Sequence, residues 1–208
     1  ATARAEVRLV DAVKKADKTA VRALLQQRVD VNAAEPDGTT ALHWAARVDD
    51  LETAGLLIRG GANVKAANRY GITPLSLACI NGNAAVIELL LKAGADPNTA
   101  SPEGETALMT AARTGKVDAV KVLLAHGADV NAKESWRGQT ALMWAAAEGY
   151  PDVVRLLIGR GADMHAPSNG GFTPFLFAAR EGQIGAVRAL LDAGVSVNES
   201  LPVNTRLR

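Results

Sequence analysis

The sequence predicts an all-α repeat solenoid, and three observations carry that expectation. The segment Thr40-Ala41-Leu42-His43-Trp44-Ala45-Ala46 returns four times, opening at Thr73, Thr106, Thr140 and Thr173, so the offsets are 33, 33, 34 and 33 residues. Two glycine markers keep the same step. One lies two residues before each threonine (Gly38, Gly71, Gly104, Gly138, Gly171), and the other opens Gly61-Ala62-Asn63, Gly94-Ala95-Asp96, Gly127-Ala128-Asp129 and Gly161-Ala162-Asp163. The third observation is compositional: 40 alanines but only eight aromatic residues, a stock suited to thin layers of closely packed helices. A period this short means that each unit buries too little apolar surface alone and is stabilised by its neighbours.

The elements follow in chain order. Residues 1–34 read as a degenerate first repeat with helical segments near 6–15 and 18–27. Arg4, Arg8, Lys14, Lys15, Arg22 and Arg28 suit a solvated cap more than a partner site. Full repeats are expected at 35–67, 68–100, 101–134, 135–167 and 168–200. In each, the threonine caps a short first helix, with Pro74 and Pro174 at the position where a missing N–H costs little. The Ala-Ala pair inside that helix permits close approach of the next repeat. Gly82, Gly115, Gly149 and Gly182 end the first helices. Second helices such as Val86-Ile87-Glu88-Leu89-Leu90-Leu91 and Val153-Val154-Arg155-Leu156-Leu157-Ile158 carry apolar residues at helical spacing. The 34-residue offset implies one inserted residue near Lys133-Glu134-Ser135.

Residues 201–208 enter a further, incomplete repeat, with Asn204 at the glycine position and Arg206 at the threonine position. The array therefore reads as a piece of a longer one. The other reading is that the outer face of the helices holding Phe175, Phe177, Leu190 and Leu191 is under-covered and packs on a partner or a second copy, giving weak self-association.

These features closely resemble the ankyrin-repeat family, whose turn-plus-two-helices unit has this period and a Thr-Pro-Leu-His-type opening. The resemblance spans essentially the whole chain, and the Ala-rich repeats look like those of bacterial members. Only His43 keeps the family's histidine; Ser76, Met109, Met143 and Leu176 replace it, so a hydrogen bond usual in the family is expected to be missing from most repeats. The resemblance implies a β-turn plus an antiparallel helix pair per repeat. It also implies a protein–protein interaction module whose partner lies on the concave face of turn tips and first helices.

Composition narrows the function further. With 23 Lys and Arg against 22 Asp and Glu, the net charge of +1 argues against a nucleic-acid partner. No apolar run is long enough to span a membrane. The single Cys79 permits no internal disulfide and no multi-cysteine zinc site, and it reads as a small buried residue. His43, His126 and His165 occupy three different repeat positions and do not converge. No phosphate loop or nucleophile elbow occurs, so an enzyme, a metal and a cofactor are not expected. The chain opens Ala1-Thr2-Ala3 with neither an initiator Met nor an apolar signal core, which leaves the compartment open between cytoplasm and export with signal removal.

What remains is surface recognition. The repeats disagree with one another at the turn tips and at the exposed ends of the first helices while the scaffold positions agree, and that contrast separates face from frame. Carried over position by position, the candidate partner-binding residues are Arg69, Tyr70, Ile72, Arg113, Trp136, Arg137, Phe172 and Arg180. Trp, Tyr and Arg dominate interface energetics, and the arginines suggest a partner surface that is apolar with acidic spots. Trp44, Trp144 and Phe177 share one first-helix position and read as core. A structural spacer is the alternative, against which the tip aromatics Tyr70, Trp136 and Phe172 speak.

Overall fold

A computed structural model describes residues 9–201, so Arg4, Arg8, Asn204 and Arg206 lie outside the described residues. The chain divides into two compact units, Ala1–Pro102 and Glu103–Arg208. In the first, helix α1 (residues 9–14) precedes α2 (Lys18–Gln26), α3 (Ala41–Arg47), α4 (Leu51–Arg59), α5 (Pro74–Asn81) and α6 (Ala84–Lys92). The second holds α7 (Ala107–Arg113), α8 (Val117–Ala125), α9 (Ala141–Glu148), α10 (Pro151–Gly159), α11 (Pro174–Arg180) and α12 (Ile184–Asp192). No strand occurs among the described residues; an isolated antiparallel bridge joins Ala34 to Thr40.

Each first helix begins at its threonine. The hydroxyls of Thr73, Thr106, Thr140 and Thr173 accept from the amide three residues on, at 3.2–3.4 Å, satisfying one of the amides a helix start leaves unpaired. At Thr40 the amide instead donates to His43 Nδ1 at 3.1 Å, which makes Nε2 the protonated nitrogen. That Nε2 donates to the Ile72 carbonyl at 3.0 Å, tying one repeat to the next tip. Ser76 keeps the local half of this arrangement, accepting from the Thr73 amide at 3.0 Å, but its hydroxyl turns back to the Thr73 carbonyl.

The core is the seam between helices. In the first unit α3 packs on α4 and α5, and α4 on α2 and α6. In the second, α9 lies between α7 and α11, and α10 between α8 and α12. Leu42, Leu57, Ile87 and Leu90 are fully buried in one unit, and Leu108, Leu123, Leu142, Leu157 and Leu190 in the other. Ala45 and Ala46, Ala78 and Cys79, Ala111 and Ala112, and Ala145 and Ala146 are wholly sealed, so a larger side chain there has no room. Burial pushes the Cys79 thiol up to about 12, which leaves it an inert apolar group.

Two tight approaches explain particular glycines. Gly115 has φ +70°, and a Cβ there would fall 2.6 Å from Tyr150 Cε1, so the ring of one repeat sits on the helix end of the one before it. Gly71 has φ +72°, and a Cβ would fall 2.5 Å from Pro102 Cδ. The corresponding helix end of the first full repeat is Asp49, which takes φ +58° without being glycine.

The last repeat leaves part of the outer face of α11 and α12 uncovered, although not at the aromatic residues. Phe175, Phe177 and Leu190 are buried, because α9, α10 and the turn before α11 cover them. The open residues of these helices are Ala179, whose four counterparts are sealed, Ile184 and Leu191, and Val197 beyond α12 is exposed too.

Candidate partner-binding face

In the first unit the tip is Arg69-Tyr70-Gly71. Asn68 shapes it: its Oδ1 accepts from the Tyr70 and Ile72 amides at 3.0 and 3.1 Å, while its Nδ2 donates to Thr39 Oγ1 at 3.3 Å. The Arg69 amide donates to the Asp37 carbonyl at 2.8 Å, which fixes this tip to the preceding one. Tyr70 is 55% exposed, with the Arg69 guanidinium 4.9 Å from its ring centre and donating to its hydroxyl at 2.7 Å. Ile72 is half-buried and lines a groove of about 200 Å³ with Asp37, His43, Trp44, Arg47 and Tyr70.

Trp44 is therefore a groove wall and not core. Its Nε1 donates to Glu35 at 2.7 Å. Lys14 pairs with the same carboxylate and stands 4.5 Å from the indole centre. The first repeat is consequently pinned to the second, with Lys18 and Arg22 pairing with Glu52 as well. Of the basic residues expected to form a solvated cap, Lys14 and Arg22 thus pair with the next repeat.

In the second unit the extra residue of the 34-residue offset sits in the tip. Elsewhere a four-residue step closes the turn, from the Glu35 amide to the Thr39 carbonyl, from Asn68 to Ile72 and from Ser168 to Phe172. Here the Glu134 amide reaches the Gln139 carbonyl at 3.0 Å across five. The tip-to-tip bonds place the addition. Ser135 donates to the Glu103 carbonyl and Asn169 to that of Arg137, as Arg69 does to that of Asp37. Ser135 and Arg137 thus keep their repeat positions, and Trp136 is the insertion.

Glu134 holds this longer loop. Its carboxylate accepts from the amides of Trp136 (2.7 Å), Arg137 (2.8 and 3.0 Å) and Gln139 (2.9 Å) and is buried beneath them. Burial raises its pKa, but the amides of Gln139, Arg137 and Trp136 outweigh it and hold the carboxyl below its ordinary range. The loop is thereby fixed while Trp136 stands 76% exposed, with Arg137 5.1 Å from its ring centre.

Glu134 has a cost elsewhere. Glu35, its counterpart, bonds the indole N–H of Trp44; Glu134 is committed to the loop, and Trp144 Nε1 is buried without a partner. Half-buried Trp144 separates two grooves. One, of about 270 Å³, is lined by Glu103, Glu105, Glu134, Trp136, Arg137 and Gln139; the other, of about 350 Å³, by Met143, Ala147, Phe177, Arg180 and Gln183. Phe172 leans onto Phe177 with ring centres 5.5 Å apart, and Arg180 covers both at 5.0 Å. Phe172 is thus half-buried and Phe177 is core. Tyr150, packed on Gly115, belongs to the frame.

Two of the arginines that suggested an acidic partner are paired with carboxylates of their own chain. Arg113 pairs with Glu105 at 3.0 Å and stands 5.1 Å from the Trp144 ring, and Arg180 pairs with Glu181. Sequence reasoning weighed them without these carboxylate neighbours. It also missed Glu134, although a Glu beside a one-residue insertion was the available signal.

Catalytic groups do not gather here. Burial pulls the pKa of His43 down, and the Ile72 carbonyl and Asp37 offset this only in part, so the ring is neutral. His165 bonds Glu199 at 2.9 Å. No group of three or more His, Cys, Asp or Glu positioned for a metal occurs among the described residues, and no described helix is long and apolar enough to cross a membrane.

The family model described as ankyrin repeats, in three copies, matches residues 9–101, 94–168 and 135–200. The chain belongs to the ankyrin-repeat family. No curated protein matches it. Ankyrin repeats are in general protein–protein interaction modules and typically non-catalytic, and the ankyrin units here carry their exposed aromatic residues at the tips, on loops closed by the fixed bonds of the repeat.

Proposed function

We propose that this chain is a non-catalytic recognition module that binds a partner protein on its turn tips and first helices. Arg69, Tyr70 and Ile72 contribute from the first unit, and Arg113, Trp136, Arg137, Phe172 and Arg180 from the second. The observation that carries this reading is Trp136. An indole 76% exposed has no packing role, yet its loop is closed by three amides bonded to one buried carboxylate. Ordering a loop in advance lowers the entropy cost of binding, and a rigid aromatic is the commonest interface anchor. The test is affinity capture with the parent chain and with Tyr70→Ala/Trp136→Ala, using Lys92→Ala as a control. The partner should be lost only from the double variant; a partner retained equally by all three overturns the assignment of the face.

A second reading is self-association through the last repeat, favoured by the exposure of Ile184 (68%) and Val197 (69%). Light scattering across a concentration series tests it, and a single molar mass throughout rejects it.

A further inference from the structure

The first unit carries an apolar strip at positions where the other repeats are charged, polar or small. Val48 stands where they have Asn81, Thr114, Glu148 and Glu181, and Ile80 where they have Arg47, Arg113, Ala147 and Arg180. Both side chains are open, at 52% and 53% exposure, at the ends of the neighbouring helices α3 and α5. Asn81 joins those ends, its Nδ2 donating to the Arg47 carbonyl at 2.7 Å. One turn back on α5, Leu77 lines the groove of the first unit together with Ile72 and Trp44. Apolar surface therefore continues from the groove to the helix ends, and exposed apolar groups gathered in this way mark a contact surface.

The charges along this strip are matched at one end only. At the tip, Asp37 Oδ1 accepts from the Thr39 amide at 2.9 Å, and the carboxylate feels the charge of Arg69. Glu35 is taken by Lys14 and the Trp44 indole. Arg47, at the helix end, is exposed and lies 5.4 Å from the Trp44 ring centre, a contact that leaves its charge unneutralised. Among the described residues it forms no ion pair: Asp50 is within 3.6 Å of Lys18, and Asp49 has one oxygen sealed from solvent.

We propose that this strip docks an apolar segment of the partner protein that carries a carboxylate, with its apolar side chains on Leu77, Ile80 and Val48 and the carboxylate on Arg47. The proposal rests on the reading that the face of turn tips and first helices binds a protein. It adds Arg47, Val48, Leu77 and Ile80 to that face and names the kind of segment they select.

The second unit shows what Arg47 lacks. Arg113 and Arg180 hold the same repeat position; each stands near an aromatic ring, as Arg47 does, and each also pairs with a carboxylate, Glu105 or Glu181. A carboxylate from outside gives Arg47 the same two neighbours, because the planar guanidinium can stack on a ring while its N–H edge binds an anion. Apolar contact supplies most of the affinity in such a pairing, in proportion to the area covered. The exposed ion pair adds a few-fold and sets the preference among apolar segments. A basic segment meets the like charges of Arg47 and Arg69. A purely apolar one strips water from Arg47 with nothing in exchange.

The test titrates the full chain with acetylated, amidated peptides in which two leucines stand on each side of a central Glu, Gln or Lys, and with the Glu peptide carrying serines in place of the leucines. The readout is the methyl resonances of Val48, Ile72, Leu77 and Ile80 in ¹H–¹³C spectra, with those of Ile184 and Leu191 as reporters of the last repeat. The leucine peptides should move the first-unit methyls, with the Glu peptide about threefold tighter than the Gln peptide and the Lys peptide the weakest. Arg47→Gln should bring the Glu peptide to the level of the Gln peptide and leave the latter unchanged. Val48→Thr/Ile80→Ala, which exchanges two exposed side chains for smaller or more polar ones, should weaken all three leucine peptides about tenfold. Equal response to the serine peptide overturns the apolar part of the proposal, and binding of the Gln or Lys peptide as tight as that of the Glu peptide overturns the acidic part. Shifts confined to Ile184 and Leu191, or no shifts, overturn it altogether. If capture of the partner still depends on Tyr70 and Trp136 in those cases, the interaction face stands and only the proposed segment is rejected. If the peptides behave as expected while capture ignores Tyr70 and Trp136, the docking strip stands and the wider face is rejected.

Discussion

Replacing Glu134 by Ala removes the acceptor of three main-chain amides at once, those of Trp136, Arg137 and Gln139. A hydrogen bond to a charged group contributes about 1.5–3 kcal/mol, and a donor left unsatisfied in a buried place costs about 1–3 kcal/mol. The Trp136 and Arg137 amides serve exposed residues and regain water when the loop opens, whereas Gln139 is half-buried beneath Trp144. One full loss and two partial ones give about 3 kcal/mol. In a chain of this size that lowers Tm by about 6–12 °C. Two assays apply together: urea unfolding followed by far-UV circular dichroism, and amide hydrogen exchange at Trp136, Arg137 and Gln139. Exchange should accelerate at those three amides first, because repeat arrays lose structure locally before they lose it globally. A Glu134→Ala protein within about 0.5 kcal/mol of the parent, the range of an ordinary surface change, with protection unchanged at the three amides, refutes the claim that this carboxylate holds the tip.

Other outcomes follow from single sites. Asp49→Gly should raise stability by about 1 kcal/mol, because it removes a side chain from a left-handed backbone and a buried, unpartnered Oδ1; equilibrium unfolding reads the change. Gly115→Ala should be worse than Gly182→Ala by about 2 kcal/mol, since both have positive φ but only the first drives a methyl into the Tyr150 ring; comparing urea midpoints isolates the clash. His43 is held below its ordinary pKa, so the unfolded chain takes up the proton first. Stability should therefore fall as pH drops below about 6.5, until the folded ring itself protonates. His43→Gln should flatten that slope between about pH 7 and pH 5.5, as measured by urea midpoints.

Much of this was legible in the sequence because the repeat states each rule four or five times. Threonine caps, sealed Ala pairs and glycines at helix ends recur at a fixed step, so a misreading at one position is corrected by the others. The failures cluster where a residue answers to its neighbour in space. Trp44 and Trp144 share a core-like position, yet they stand on the open side because the residues facing them are the groove carboxylates and cations, which periodicity does not reveal. Lys14 lay within a basic segment that resembled a solvated cap; its partners Glu35 and Trp44 are twenty or more residues away. The inserted residue was expected near 133–135, and the tip-to-tip bonds single out Trp136, since an offset only counts residues and does not show which of them leaves the common path. The site residues Tyr70 and Trp136 were chosen as tip aromatics and are exposed, while Phe172, chosen on the same grounds, packs onto Phe177 beneath Arg180, a spatial contact that periodicity does not show.

The five-residue closure from Glu134 to Gln139 makes loop length a variable independent of the stack. The helices on either side keep their caps and their seams while the tip lengthens by one residue, because the bonds that fix the frame lie at its two ends. An engineer could treat that junction as a socket, with Glu134 as its latch, and fit loops of other lengths and compositions there without redrawing the scaffold. The same property lets drift in a lineage sample new tips while the helical stack stays under its own separate constraint.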